Sequence, residues 1–407
     1  MTDPLATPPG RRPAKHPAEQ LGAGKADIDA EGVTITGAVV DETYEARGNF
    51  DHVLALFNLD PAAFIVIDDT VRMSTWQQSK GLDDGSRDTV QLYSYTLRAR
   101  RVTADDIRPE VVDSWRAALQ VKPRRTASLN PAAAGGTSVV LVADPQLGKK
   151  GTAEAVDNWR RGVQRHIDTA RNLGADRVHV AFMGDEHENV MGNYRNQPHT
   201  IELNRSAQLE LDYDMRVWTI REALALGLPV SASSVISNHG EWTREGDTKD
   251  PMTTRNDNSS TYIARQVRKL FDELAPFTGQ TVEWTIGESR PGVIVNMSGV
   301  DTYLSHGYVE KGRGPNVEVK TRVALERQIL GRTDELAGVR IYFMAHYHHK
   351  YSTSFEGRML FGCPALEAER SSEYMLDQFG VWSRPGMLGM LVGSHLGPDG
   401  YGHVNVY

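Results

Sequence analysis

The segment AHYHH, residues 345–349, places three histidines directly after the apolar run VRIYFM. A run of this kind is typical of a buried strand. A buried strand that ends in His346, His348 and His349 either finishes in polar surface or presents imidazoles to a metal ion, for which histidine is the commonest ligand. What the other strands carry at their ends decides between these two interpretations.

Four further β-rich runs also end in side chains that can bind metal ions. The runs are TSVVLVAD, DRVHVAFMGD, PVSASSVISNH and DTYLSH, and they supply Asp144, Gln146, Asp185, Asn238, His239 and His306 at or just after their ends. Ligand sites of α/β proteins lie at the carboxyl ends of the strands. We therefore expect these side chains to lie close to the histidines of AHYHH.

The chemistry that suits this set of side chains is hydrolysis assisted by metal ions. Two divalent ions held about 3.5 to 4 Å apart need a bridging carboxylate, neutral imidazoles and oxygen donors. Asp185 is the predicted bridge between them. Paired ions stabilise the charge of a transferring phosphoryl group and lower the pKa of a bound water, which favours hydrolysis of a phosphate ester.

The motifs ADPQLG, GDEHE, SNHGE, LSHGY and AHYHH resemble, in order and spacing, those of the calcineurin-like metallophosphoesterase superfamily. The family pattern is D-x-H, G-D-x-x-D, G-N-H-[DE], H and G-H-x-H, and the resemblance covers about residues 137–370. It implies a first ion held by Asp144, Gln146, Asp185 and His348. It implies a second ion held by Asp185, Asn238, His306 and His346.

The resemblance also implies how the reaction would proceed. A metal-bound hydroxide would attack phosphorus, and His239 would protonate the leaving oxygen as the general acid. Glu188, the last residue of GDEHE, would orient the imidazole of His239. We expect the remaining histidines His166, His179 and His187 to be surface or packing residues.

Gln146 stands where the family pattern has a histidine. An amide oxygen is a harder donor than an imidazole nitrogen, so this position favours Mn²⁺ or Mg²⁺ over Zn²⁺. The expected cofactors are two divalent ions, with Mn²⁺ preferred and Mg²⁺, Fe²⁺ or Zn²⁺ as alternatives. Ser237, Gly240 and Ala345 also depart from the pattern, but none of them is a predicted ligand.

The predicted fold class is α/β. The resemblance implies a calcineurin-like β-sandwich of two mixed sheets flanked by helices, in four layers α/β/β/α. The expected divisions of the chain are a disordered arm at residues 1–30, a small N-terminal α/β module at 31–117, a linker at 118–136 and the metallophosphoesterase domain at 137–407. Within the module, Arg98, Arg100 and Arg101 are expected to form the solvated face of an antiparallel sheet, with a stripe that faces nucleic acid as the alternative.

Composition limits the class of protein further. The chain has 407 residues and a formal net charge of −8, which argues against a broad basic surface for nucleic acid. Its one cysteine, Cys363, excludes an intramolecular disulfide and an all-cysteine metal site. No apolar run approaches the roughly 20 residues that span a bilayer, and the first residues lack the apolar core of a secretion signal. We expect no membrane association and a location in the cytoplasm, which would be the host cytoplasm for a bacteriophage protein.

The long polar loops after GDEHE and SNHGE most resemble those of the nuclease-type members of the superfamily, including those encoded by bacteriophages. This implies a phosphodiesterase acting on nucleic acid, most of all a DNA exonuclease, with Arg195, Arg205 and Arg244 as candidates for holding the substrate. Two alternatives stay open: a phosphomonoesterase, such as a protein phosphatase or a nucleotidase, and a non-catalytic scaffold. The sequence leaves any protein partner and the oligomeric state undefined.

Overall fold

The computed structural model divides the chain into two compact units, residues 1–106 and 107–407. The residues that it describes are 21–81, 87–102, 135–242, 253–288, 290–309, 316–369 and 382–407, with single residues at 113, 117, 376 and 380. Residues 1–20 of the expected arm and residues 118–134 of the expected linker lie outside the described residues.

The N-terminal unit is an antiparallel sheet with short helices. Its elements are β1 (Lys25–Ile28), β2 (Gly32–Val40), α1 (Tyr44–Arg47), α2 (Asp51–Ala55), β3 (Phe64–Val66), β4 (Arg72–Gly81) and β5 (Arg87–Arg101). The strand order is β1-β2-β5-β3, and β4 also pairs with β5. Strand β1 lies within residues 1–30, which the sequence predicted to be a disordered arm. From Lys25 to Ile28 the backbone instead pairs with β2.

The arginines of β5 do not share one face of this sheet. Successive side chains of a strand point to opposite faces, so Leu97 and Ala99 are buried while Arg98 is exposed. Arg98 therefore lies on the solvated face, as predicted. Arg101 points to the other face, where its guanidinium lies 5.5 Å from the ring centroid of Phe64.

The C-terminal unit contains two mixed sheets. The larger contains β6 (Thr137–Val142), β7 (Arg177–Phe182), β8 (Val230–Ser234), β9 (Val282–Ile286), β15 (Leu388–Val392) and β16 (Tyr401–Val406), in the order β16-β15-β6-β7-β8-β9. The smaller contains β10 (Gly292–Met297), β11 (Val300–Ser305), β12 (Ile341–Met344), β13 (Tyr351–Phe355) and β14 (Arg358–Gly362), in the order β10-β11-β12-β14-β13. Strands β6 to β9 run parallel, and so do β11, β12 and β14.

Helices cover the outer faces of both sheets. They are α3 (Thr152–Leu173), α4 (Arg205–Leu224), α5 (Ser259–Thr278), α6 (Val317–Gly331) and α7 (Thr333–Leu336). Asparagine side chains cap α4, α5 and α6, which satisfies backbone N–H groups that a helix start leaves free. In the part of the chain that the structure describes, no helix is both long and apolar enough to cross a bilayer.

Three hydrophobic clusters show how the layers pack. Val139 and Leu141 of β6 belong to the cluster between the sheets, which also contains Phe343 of β12. Val140 and Val142 point the other way, into the cluster beneath α3, α4 and α5. A further cluster joins the outer face of the smaller sheet to α6 and α7. The four-layer α/β/β/α fold class is thus confirmed, and it explains why strands buried on both faces read as continuous apolar runs.

Two buried histidines help to hold the larger sheet. His179 of β7 places Nδ1 2.8 Å from Ser231 Oγ and Nε2 2.9 Å from Ser233 Oγ on β8. His166 of α3 places Nε2 2.8 Å from Ser138 Oγ. Burial lowers the pKa of each imidazole to about 3, so both are neutral packing residues at neutral pH.

The substitution His179→Gln should reduce the acid sensitivity of folding. Folded His179 stays neutral down to its pKa of about 3, whereas an unfolded histidine binds a proton below about 6.5. Its contribution is therefore constant above that pH and declines as the pH falls, by about 1.4 kcal/mol per unit. Urea unfolding at pH 7 and pH 5, with chelator present, should show a smaller loss in the variant than in the parent chain. The exposed His199 provides the control His199→Gln, and an equal loss in all three proteins would contradict the assignment.

Candidate metal centre

The loops that follow the parallel strands lie directly against one another. The backbone N–H of Asp144, after β6, donates to Gly184 O at 3.3 Å, and that of Gln146 donates to Asp185 O at 3.0 Å. Gly184 has a φ of 94°, and a Cβ added there would lie 2.8 Å from His306 Nδ1. Only glycine therefore lets the loop after β7 approach His306 this closely.

Five of the predicted ligands have a left-handed backbone. Their φ angles are 50° for Asp144, 45° for Gln146, 53° for Asp185, 70° for His346 and 50° for His348. A residue other than glycine loses of order 1 to 3 kcal/mol in such a conformation, and these residues tend to cluster at functional sites. The packing around the turns after β6, β7 and β12 therefore holds a strained backbone in place.

The side chains predicted to hold the second ion form one cluster, buried except for the half-buried His346. His306 Nε2 lies 3.0 Å from Asp185 Oδ2 and 2.9 Å from Asn238 Oδ1. One ligand atom each from Asp185, His306 and His346 lie within 4.8 Å of one another. A carboxylate oxygen, an amide oxygen and two imidazoles at this spacing fit one divalent cation.

The two imidazoles differ in their hydrogen bonds and in the direction of their pKa shifts. His306 Nδ1 lies 2.9 Å from Met183 O and must donate to it, which orients Nε2 towards Asp185. Burial alone would lower the pKa of His306, but the carboxylate of Asp185 raises it above its ordinary value. Burial, together with the nearby imidazole of His306, lowers the pKa of His346 well below its usual range. His346 is therefore neutral and able to donate a lone pair.

The side chains predicted to hold the first ion are arranged differently. Asp144 Oδ1 is buried, lies 3.4 Å from His348 Nε2, and has no hydrogen-bond partner among the described residues. His348 Nδ1 lies 2.5 Å from Glu367 Oε1. The oxygen Oε1 of Gln146 instead accepts a hydrogen bond from Lys149 Nζ at 2.9 Å. Asp144 and His348 are brought together as predicted, whereas Gln146 is paired with a lysine.

His239 and Glu188 form a buried pair beside Asp185. His239 Nδ1 lies 2.6 Å from Glu188 O and 3.2 Å from Glu188 Oε2, and Nε2 faces Asp185 Oδ2 at 3.8 Å. Burial alone would lower the pKa of His239, but the carboxylates of Glu188 and Asp185 raise it to about 9. His239 is therefore protonated at neutral pH, and Tyr194 Oη donates to Glu188 Oε1 at 2.6 Å to fix the carboxylate.

The other residues of GDEHE support the site from the helix side. Arg216 of α4 is fully buried and pairs with Glu186 Oε2 at 2.8 Å and Asp212 Oδ1 at 2.6 Å. His187 places Nδ1 3.1 Å from Asp212 Oδ2 and Nε2 2.6 Å from Ser259 Oγ. His187 is thus a packing residue, as predicted.

The predicted substrate arginines occupy different environments. Arg195 is exposed. Arg205 is half-buried, with its guanidinium carbon 4.6 Å from the ring centroid of Trp242. Arg244 lies outside the described residues.

Sequence reasoning missed four residues near the predicted ligands. Tyr308 lies with its ring centroid 5.8 Å from that of His306 and donates its hydroxyl to Glu241 Oε1 at 2.8 Å. Arg255 lies 5.7 Å from the ring centroid of Tyr308. Glu367 follows β14 in CPALE, and Lys149 follows Gln146 by three residues. Only the position of Glu367 just after a strand gave a signal in the sequence.

Comparison with known proteins finds resemblance at low similarity. No family model matches this sequence, and no curated protein matches it. A novel archaeal phosphodiesterase is 10% identical, with 66% of this chain and 99% of that chain covered and a TM-score of 0.30. A predicted phosphoesterase from Streptococcus pneumoniae is 9% identical, with coverage of 63% and 81% and a TM-score of 0.25. Wild-type Vps29 from Entamoeba histolytica, complexed with Zn²⁺, is 10% identical, with coverage of 66% and 97% and a TM-score of 0.26. TM-scores this low do not by themselves establish the fold or the function of this chain. The fold and the site follow instead from the sheets and side chains described above.

The substitution Asp185→Asn should remove the metal affinity of the cluster. An amide in place of the carboxylate takes away the anionic donor that lies 3.0 Å from His306 Nε2, and we expect Mn²⁺ to bind more than about 100-fold more weakly, since even outer residues change affinity 10- to 100-fold. Isothermal titration of the metal-stripped proteins measures this. Asp157 is exposed on α3, so Asp157→Asn serves as the control, and equal affinity in both variants would rule out Asp185 as a ligand.

Proposed function

We propose that this chain is a metal-dependent phosphoesterase that hydrolyses phosphodiester bonds, with nucleic acid as its substrate class. One observation carries the proposal. The cluster of Asp185, His306 and His346, with donor atoms within 4.8 Å of one another, lies beside His239, whose Nδ1 is 3.2 Å from Glu188 Oε2 and whose Nε2 is 3.8 Å from Asp185 Oδ2. Such a cluster together with an oriented imidazole suits hydrolysis of a phosphate ester.

Four residues of the chain would bind the ion, and His239 would transfer the proton. Asp185, Asn238, His306 and His346 would hold a divalent ion, which when bound neutralises phosphoryl charge and acidifies water. Asp185 Oδ1 also accepts the backbone N–H of His239 at 2.9 Å, so one carboxylate fixes both the ligand cluster and the acid. His239 would keep its Nδ1 proton, which it donates to Glu188 in a hydrogen bond. It would give its Nε2 proton to the leaving oxygen.

A nucleic acid strand is one of the alkyl phosphate esters that would use the acid. Cleavage of a nucleic acid strand releases an alkoxide, which is a poor leaving group unless it is protonated as the bond breaks. Tyr194 lies with its ring centroid 6.3 Å from that of His239, and Tyr347 lies 5.1 Å from His346. Aromatic side chains beside a phosphate site are typical of proteins that bind single strands. The choice of nucleic acid and of a DNA exonuclease-like activity otherwise follows from the resemblance of the motifs to nuclease-type and bacteriophage members of the superfamily.

The discriminating experiment compares two synthetic esters. Metal-stripped protein titrated with Mn²⁺ should hydrolyse bis-p-nitrophenyl phosphate faster than p-nitrophenyl phosphate, with Asp185→Asn as the inactive reference. End-labelled single-stranded and duplex DNA would then distinguish shortening from one end from internal cleavage. Preference for the monoester would favour a phosphomonoesterase instead, and inactivity on both esters without bound metal would favour a non-catalytic scaffold.

The substitution His239→Ala should separate catalysis from metal binding. The imidazole is not among the predicted ligands, so Mn²⁺ affinity should persist, while cleavage of DNA should slow by about 10²- to 10⁴-fold, the usual contribution of a general acid. An activated aryl diester needs no protonation of its leaving group and should lose little. The exposed His403 on β16 gives the control His403→Ala. Equal losses on DNA and on the aryl diester would remove His239 from the role of acid.

A further inference from the structure

The ammonium of Lys149 contacts Gln146, one of the side chains that the family resemblance assigns to the first ion. Its Nζ is 2.9 Å from Gln146 Oε1 and 2.9 Å from Glu367 Oε2. Glu367 in turn places Oε1 2.5 Å from Nδ1 of His348, a predicted ligand of the same ion. Two predicted ligands of the first ion, Gln146 and His348, are therefore linked through Lys149 and Glu367.

The lysine is held in this position by its loop. The backbone N–H of Lys149 donates to Gln146 O at 3.1 Å, and Lys149 forms a β-bridge with Ile201. At Gly148 φ is 101°, and a Cβ there would lie 2.3 Å from the side chain of Gln208. The side chains are enclosed as well, with exposures of 17% for Lys149 and 2% for Glu367. The ammonium is thus a fixed charge rather than a mobile surface group.

We propose that Lys149 takes the place of the first divalent ion, so that the chain binds a single divalent ion at Asp185, Asn238, His306 and His346. This deepens the proposed function and rests on it for the reaction, but the number of ions is a separate question. The family-type first site would need Gln146 Oε1 as a ligand, and that oxygen already accepts a hydrogen bond from Lys149 Nζ.

Charge repulsion is the physical reason. A divalent ion binds oxygen at about 2.1 Å, so an ion on Gln146 Oε1 would lie within about 5 Å of Nζ. Like charges at that separation repel strongly in a buried site, where the effective dielectric constant is low. Lysine is also a common binder of phosphate as a point charge. Lys149 can therefore supply the second positive charge to a phosphoryl group while excluding the second ion.

The test counts the ions instead of measuring turnover. Metal-stripped protein is loaded with Mn²⁺, freed of loosely bound ion by gel filtration, and measured by elemental analysis and by electron paramagnetic resonance. The parent chain should retain one equivalent with the six-line spectrum of an isolated Mn²⁺. The double variant Gln146→His with Lys149→Ala should retain two equivalents with the spectrum of a magnetically coupled pair. Lys150 is exposed, so Lys150→Ala is the matched control and should retain one.

The outcomes separate this inference from the proposed function. Two equivalents with a coupled spectrum in the parent chain would overturn the inference and leave the phosphoesterase standing. One equivalent in a folded double variant would also overturn it, because the lysine would then not be the excluding group. No retained Mn²⁺ in the parent chain would overturn both proposals. If the double variant fails to fold, Lys149→Met alone should raise the retained amount above one equivalent, and an unchanged value would count against the inference.

Discussion

The burial of two carboxylates where the strand ends of both sheets meet is the constraint on which the site depends. Asp144 and Asp185 are 0% and 1% exposed. A buried carboxylate is unstable unless positive charge and hydrogen bonds surround it. The chain supplies these through backbone N–H groups, through His306 and His348, and through the protonated His239. A cation bound in the same cluster would stabilise the carboxylates further, because it adds positive charge beside them.

The metal-ligand side chains of the site come from both sheets. Asp185 and Asn238 follow strands of the larger sheet, and His306 and His346 follow strands of the smaller one, so the cluster depends on how the sheets pack. Within GDEHE, neighbouring residues take separate tasks. Asp185 faces the imidazoles, Glu186 pairs with the buried Arg216, and Glu188 orients His239. A short loop can do this because each successive side chain points in a different direction.

The sequence predicted the parts of the structure that follow from local pattern. The apolar runs ending in polar residues showed where the strands of the sandwich stop, and parallel pairing then brings their ends together. The sequence could not show that Gln146 pairs with Lys149. Nor could it show that Glu367 contacts His348, because β13 and β14 separate these two residues along the chain. Those contacts depend on how side chains from distant segments pack in three dimensions. The strand β1 was missed for a similar reason, since four polar and apolar residues become a strand only beside β2.

The left-handed turns at the strand ends bear on how such a protein would change under selection. Each turn holds a residue with a Cβ in a conformation that glycine adopts freely, so a substitution by glycine at these positions would relieve strain while removing a donor. Selection for thermal stability alone would therefore tend to erase this centre, as expected where stability and activity oppose each other. Persistence of these residues across related genomes would record selection on chemistry rather than on folding.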